Sequence, residues 1–319
     1  GEGGSSPIVA GGQVFTLGWR ENQDLVSCWD LKTGEPLWQE RYPAPRYGRN
    51  KNGDEGLYSG PSSTPEFDAA TGLLFTLGVD GELRAWNTKA SGKLVWQKNL
   101  YDAYQMPQRP KVGRSRISDY GYTSSPLVYR DWLLVEVGGN RGNLMAFDKT
   151  TGKEVWASEN KDLAGHTGGP ALIQVAGEPC LAVQTMQNLL VLRLSQSPGK
   201  TVAEIPWLTD YANSVVSPCV QDDSVVITAG YNHKKMVRYR ITASGAEKIW
   251  ESPLFSLVCT PVVVGPRLYV AYQRVSCLDW ETGKTLWQGG KLGEAGSCLA
   301  TADNKLIAWG GNGMLSLLD

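Results

Sequence analysis

Residues 144–156 read LMAFDKTTGKEVW: an apolar run, an Asp, a Thr-Gly turn, and a second short run that closes on Trp156. Two short apolar runs joined by a Gly-containing turn are a hairpin signal, because the turn needs a residue that tolerates positive φ. The stretch recurs. Residues 26–38 read VSCWDLKTGEPLW, 83–96 read LRAWNTKASGKLVW, 236–250 read MVRYRITASGAEKIW and 275–287 read VSCLDWETGKTLW. A longer version, LLVLRLSQSPGKTVAEIPW, occupies 189–207. The six copies close on Trp38, Trp96, Trp156, Trp207, Trp250 and Trp287.

Upstream of each hairpin stands a second mark, a small residue or two, usually Pro, then an apolar run. It is SSPIV from Ser5, STPEF from Ser63, SSPLV from Ser124, GGPAL from Gly168, VSPCV from Val216, CTPVV from Cys259 and GSCLA from Gly296, seven copies in all. Pro is tolerated there because the first residue of a strand need not donate to the ladder. Runs such as QVFTLG and LLFTLG lie between the two marks, so one unit is four strands. Four short antiparallel strands repeated seven times, with almost no 3.6-residue periodicity, are the signature of a β-propeller.

The expectation is therefore an all-β, seven-bladed β-propeller of four-stranded antiparallel blades, with eight blades as the alternative. A single domain, 1–319, would hold blades at about 5–42, 60–100, 122–160, 167–210, 214–252, 257–289 and 295–319. The intervals between the closing tryptophans are 58, 60, 51, 43 and 37 residues, so the early blades carry insertions. The seventh copy supplies three strands and lacks a closing Trp. A segment ending in a Trp strand is expected upstream of the first copy, to pair with this last blade, with a three-stranded last blade as the alternative. The six tryptophans are expected to be packing residues, each filling the gap over a bare Gly backbone. Burial of one such ring contributes roughly 2–3 kcal/mol.

Lys+Arg number 31 and Asp+Glu 32, so nothing concentrates the positive field that nucleic acid or an anionic membrane requires. No apolar run reaches the length of a membrane span, and the opening GEGGSS has no leader character. The six cysteines form no CxxC and no adjacent pair, which predicts unpaired, packed thiols and no transition-metal site. Cys28 and Cys277 fall at the same place in two copies, as a small buried strand residue would.

Chemistry has two candidate homes, the connections over residues 42–59 and 101–122, which are the longest in the chain. Long connections on a rigid scaffold often carry function. The first holds Arg46, Tyr47, Arg49 and Lys51; the second holds Arg109, Lys111, Arg114, Arg116, Tyr120 and Tyr122. Guanidinium groups beside phenol rings suit carboxylates, phosphates or sugars, while a solvated loop of scattered charges is the competing reading. These connections are expected on the face where a propeller's central funnel opens, and His166, before the fourth inner strand, and Asn213 with Asp210, before the fifth, are expected near that funnel mouth. His233, in a between-strand turn, is expected to be exposed.

The pattern L-x-A-x-D-x-x-T-G-K-x-x-W resembles the PQQ-like repeat family, the propellers named after the pyrroloquinoline quinone enzymes. Residues 144–156 and 275–287 fit it closely and 25–38 nearly so, whereas the copies closing on Trp207 and Trp250 lack the Asp. The resemblance covers essentially the whole chain and implies the fold. For activity it implies two things, since the family holds both quinoprotein dehydrogenases and a non-enzymatic outer-membrane assembly scaffold. The dehydrogenases carry adjacent cysteines beside PQQ and a Ca²⁺ held by Glu, Asn and Asp; this chain has no adjacent cysteines and no evident acidic cluster. The resulting expectation is a non-catalytic binding or scaffolding propeller, monomeric, exported to the periplasm or cell surface. It would use Arg46, Tyr47, Arg49, Arg109, Arg114, Arg116, Tyr122, His166 and Asn213 to hold a protein partner or a small anionic or sugar ligand. The alternative is an enzyme: a quinoprotein-like oxidoreductase using PQQ with Ca²⁺, or a hydrolase or lyase built on His166.

Overall fold

A computed structural model describes residues 2–45, 60–106, 120–210 and 214–318. They form seven antiparallel sheets in chain order, the blade series of a seven-bladed β-propeller. Two compact units hold them: Gly1–Gly169 carries the first three sheets and Pro170–Asp319 the other four.

In the first unit the strands run Ile8–Ala10, Gln13–Arg20, Gln23–Asp30 and Pro36–Pro43; then Glu66–Asp68, Leu73–Leu77, Glu82–Asn87 and Lys93–Asn99; then Leu127–Tyr129, Trp132–Glu136, Leu144–Asp148 and Glu154–Ala157. The second unit holds Ala171–Val175, Glu178–Gln184, Asn188–Arg193 and Thr201–Pro206, followed by Cys219–Gln221, Ser224–Ala229, Lys235–Thr242 and Gly245–Ser252. In the sixth sheet one long strand, Arg267–Asp279, fills the two middle positions. Its first half pairs with Val262–Val264 and its second with Thr285–Gly293, about a left-handed Gln273 with φ 57°. The seventh sheet has three strands, Gly296–Ala300, Leu306–Gly310 and Leu315–Leu318.

The hairpin turns explain the recurring D-x-x-T-G. In the third sheet Asp148 Oδ1 accepts from the Thr150 and Thr151 amides at 3.0 and 2.8 Å, and Gly152 then takes φ 69°. Such an Asx turn supplies locally the hydrogen bonds that a tight reversal would otherwise lose. Asp30 and Asp279 cap their turns in the same way, to Thr33 at 2.8 Å and Thr282 at 2.9 Å.

Each outer hairpin also carries a register shift at one place, between Cys28/Trp29, Ala85/Trp86, Ala146/Phe147, Val191/Leu192, Arg238/Tyr239 and Cys277/Leu278. A β-bulge re-aims the side chain beside it. The residue opposite the bulge is Trp38, Trp96, Trp156, Trp250 or Trp287 in five sheets. In the fourth it is Ala203. Trp207 therefore departs from the position the sequence suggests. It lies four residues further along the chain, past the end of its strand, because counting to a Trp ignored the longer Ser195–Lys200 turn.

Three of these rings lie on a glycine of the following sheet. A Cβ placed at Gly92 would come 2.4 Å from the Trp38 ring, at Gly152 2.7 Å from Trp96, and at Gly283 2.6 Å from Trp250. Trp96 Nε1 donates to Lys149 O at 3.0 Å and Trp250 Nε1 to Trp280 O at 2.8 Å. At the Trp96 joint, Lys149 Nζ also pairs with Asp68 at 2.8 Å, both side chains under a tenth exposed. Trp287 is 40% exposed and tilts against Tyr269, with ring centroids 6.2 Å apart.

Apolar side chains fill the spaces between neighbouring sheets of each unit. Phe15, Leu17, Val26 and Cys28 meet Leu74 and Trp86; Phe75, Leu77 and Leu83 meet Leu133, Val135 and Phe147; Val191 and Leu189 meet Val225 and Ile227. All six cysteines are free thiols, five of them buried, Cys28 and Cys277 at 0% and 1% exposure.

Candidate functional site

The connections that leave the outer strands emerge on the same side as the turns between the second and third strands. In the first unit this side gathers the chain on both flanks of 46–59 and 107–119. Arg46, Tyr47, Arg49, Lys51, Arg109, Lys111, Arg114 and Arg116 lie outside the described residues, as does Asn213 in the second unit. Tyr120, Tyr122 and His166 are described, and with them the framework beneath.

That framework is a buried hydrogen-bond clamp on the third sheet. Glu136 ends the second strand and is 1% exposed. Its Oε2 accepts from Thr167 Oγ1 at 2.5 Å and its Oε1 from Asn143 Nδ2 at 3.1 Å, while the same amide reaches Asp162 O at 3.2 Å. Thr123 Oγ1 accepts from the Thr167 amide at 2.9 Å and sits 2.9 Å from Gly165 O, and Ser124 Oγ donates to Gly168 O at 3.2 Å. Burial pushes the Glu136 carboxyl up to about 7, and the hydrogen bonds from Thr167 and Asn143 hold it from rising further. The loop 164–168 is thus bolted to residues 122–124, although some 44 positions separate them in sequence.

The clamp brings His166 to Tyr120. Their rings stack at 4.2 Å between centroids, 26° apart, and both side chains are partly exposed. Tyr122, expected at a binding surface, is 3% exposed. Its hydroxyl donates to Val137 O at 2.9 Å, and its ring packs on Tyr101 with centroids 5.0 Å apart. Tyr101 belongs to a short helix, Leu100–Tyr104, whose first turn is capped by Asn99 Oδ1 accepting from the Asp102 amide at 3.1 Å. Tyr122 therefore braces the platform rather than facing outward.

A second buried acid lies between the first and second sheets. Asp24 is 1% exposed, and a Cβ on the facing Gly78 would approach its Oδ2 to 2.5 Å. Burial drives its carboxyl up to about 7; the adjacent Tyr42 hydroxyl opposes the rise and the Asp80 charge adds to it. Arg84 stacks 4.0 Å over the Tyr42 ring and pairs with Glu82 at 2.9 Å. Sequence reading passed over Glu136 and Asp24 because each sits inside a strand; the available signal was an acid where the repeat otherwise places apolar residues, such as Leu77 opposite Leu83.

In the second unit, Trp207 is 2% exposed and His233 lies flat on it at 4.0 Å, the planes 7° apart. His233 Nε2 donates to Leu208 O at 2.8 Å, and burial holds its imidazole below the ordinary value. The Asp210 amide donates to Asn232 Oδ1 at 3.2 Å. His233 is thus a packed residue that ties the loop after the fourth sheet to a turn of the fifth, not the exposed one expected.

Chemically, these arrangements present aromatic and imidazole surface on a stiff base. Among the described residues no group of three His, Cys, Asp or Glu side chains is placed to hold a metal ion.

Comparison with known proteins adds the following. A family model described as outer membrane protein assembly factor BamB matches residues 22–289. The dehydrogenase subunit of a quinone alcohol dehydrogenase from Komagataeibacter europaeus is 25% identical over 181 residues, 54% of this chain and 22% of that protein. Its counterpart from Gluconobacter oxydans (strain 621H) is 29% identical over 160 residues, 49% of this chain and 19% of that one. The chain spans about a fifth of the length of these curated relatives. Among solved structures, BamB from Moraxella catarrhalis superposes with a TM-score of 0.63 at 18% identity, over 96% of this chain and 79% of its own. A europium-containing methanol dehydrogenase gives 0.50 at 14% identity, over 97% and 82%. At these identities the structural likeness establishes the propeller fold and nothing finer.

Proposed function

The chain belongs to the family of the outer membrane protein assembly factor BamB, and on that premise we propose that it is a non-catalytic, single-domain scaffold acting in outer-membrane protein assembly, in the periplasm or at the cell surface. Its loop-bearing side holds a protein partner. The observation that carries this reading is the Glu136–Thr167–Thr123 clamp, which sets the Tyr120–His166 pair on a rigid base. A surface that binds proteins benefits from this, because aromatic anchors fixed in advance lose little entropy on association. Arg46, Tyr47, Arg49, Arg109, Arg114, Arg116 and Asn213 are the further contact residues of this reading. Tyr122 serves the surface from beneath.

A photo-crosslinking residue at position 120 or 166, introduced in the source bacterium, tests the proposal. The expected result is an adduct with a component of the outer-membrane assembly machinery, lost when Arg114 and Arg116 are changed to Ala. Wild-type levels of outer-membrane proteins in a strain deleted for this chain would overturn it.

The dehydrogenase relatives favour a second reading, a quinoprotein oxidoreductase. Purified protein loaded with PQQ and Ca²⁺ and assayed for alcohol-dependent dye reduction tests it; turnover would displace the scaffold reading.

A further inference from the structure

We propose that Cys259 and Cys298 form a dithiol that closes to a disulfide joining the sixth and seventh sheets. Cys259 lies just ahead of the sixth sheet's first strand, Val262–Val264, and Cys298 lies in the middle of the seventh sheet's first strand, Gly296–Ala300. Both sulfurs converge on one short piece of backbone. The Ala271 amide donates to Cys259 Sγ at 3.4 Å, and Cys298 Sγ lies 3.9 Å from Tyr269 O. Both side chains pack in one apolar cluster with Ala271 and Val275. Gly296 sets this approach: a Cβ there would fall 2.6 Å from Ala271 O, so only glycine lets the seventh sheet come close enough to seat Cys298.

The two thiols are unequal in a way that suits exchange. Cys298 is partly exposed and can meet a small reagent, whereas Cys259 is 2% exposed. The oxidant is a disulfide donor, RSSR. Cys298 loses its proton and attacks one donor sulfur, breaking the S–S bond and releasing RS⁻, which takes up that proton as RSH. Cys259 then attacks Cys298 Sγ, the mixed S–S bond breaks, and the second RS⁻ leaves with the Cys259 proton. Two electrons pass from the thiol pair to the donor, giving one intrachain disulfide and two RSH. The other four thiols are placed differently. Cys28, Cys180 and Cys277 are buried in sheet interiors, and Cys219, the nearest, is buried with its sulfur hydrogen-bonded to the backbone at Val263.

The test is to incubate the folded protein with oxidised glutathione, then denature it, alkylate it and map it by mass spectrometry. Two of the six thiols should be lost to alkylation, with a single cross-linked peptide joining residues 259 and 298, reversed by dithiothreitol. C298S should abolish the cross-link and leave all five remaining thiols reactive once denatured, whereas C259S should abolish the cross-link and stop at a glutathione adduct on Cys298. In the wild type, six alkylated thiols after oxidation, a cross-link between another pair, or a glutathione adduct that stays on Cys298 without closing would each overturn the proposal. The wild-type map decides the matter even where a variant does not fold.

Discussion

Replacing Asp24 with Asn should stabilise the protein at pH 8 relative to pH 4, and the structure gives the size. In the unfolded chain the carboxyl titrates near its ordinary value of 3.8; in the fold, burial moves it to about 7. Between those values the folded state keeps a proton that the unfolded state has released. Stability therefore falls as pH rises through this window, by about 1.4 kcal/mol per pH unit, and is level again above the folded value. Over the three or so units involved the loss is about 4 kcal/mol. An Asn has no proton to lose, so the D24N variant omits this slope. Urea midpoints for the wild type and D24N at intervals from pH 4 to pH 8 measure it. The stability difference between the two should move in favour of the variant by about 4 kcal/mol across the series. Every other titrating group is common to both proteins and cancels. A difference that stays constant with pH would refute the reasoning, showing that Asp24 ionises in the fold as it does in water.

Further expectations concern the joints between sheets and the second buried acid. Glu136→Gln should show the same signature, smaller because the carboxyl moves from 4.5 to about 7; a flat difference in urea midpoints across pH would count against it. Trp96→Ala should cost about 3–5 kcal/mol, read as a fall in urea midpoint, since it empties the space over Gly152 and frees the Lys149 carbonyl. Gly152→Ala attacks the same joint from the other side, combining a 2.7 Å clash with an unfavourable φ, and should cost about 1–3 kcal/mol in the same assay. Lys149→Met should cost about 3–5 kcal/mol by stranding Asp68, while the double variant K149M/D68L should recover much of the loss; equal melting of single and double variants would argue against a coupled pair.

What could be read in advance was what neighbouring residues decide among themselves. The Asp30, Asp148 and Asp279 turns are local hydrogen-bond devices, so their spelling is regular and the sheets they end could be counted from them. Trp207 marks the limit of that method. Its copy ends on a Trp like the rest, yet the register of Val191 with Ala203 comes from strand pairing and the length of the intervening turn, which a search for closing tryptophans does not weigh. The candidate site was proposed from composition alone, from long connections, Arg beside Tyr and a His before an inner strand, and most of those residues lie outside the described ones. Its framework was not legible in that way. Thr123 meets Thr167 and Cys259 packs near Cys298 only because successive sheets repeat one strand order at intervals set by their turns and connections, bringing residues some 40 positions apart together.

That repetition also explains why the buried acids fall where they do. A propeller repeats its apolar positions from sheet to sheet, so an acid at one of them must be satisfied by the neighbouring sheet or loop, or remain protonated. Burial raises both carboxyls to about 7, but Glu136 is met by two partners, Thr167 and Asn143, whereas Asp24, facing the bare backbone at Gly78, is met by the Tyr42 hydroxyl alone. Comparing the two variants at pH 8 separates these cases. E136Q removes a charge that the clamp was built to hold, so the gain from losing the ionisation penalty is offset by weaker hydrogen bonds from Thr167 and Asn143. D24N weakens only the single contact from the Tyr42 hydroxyl. The gain for D24N at pH 8 should therefore exceed that for E136Q by more than the difference in their titration windows, and equal gains would show that the clamp contributes nothing to holding loop 164–168.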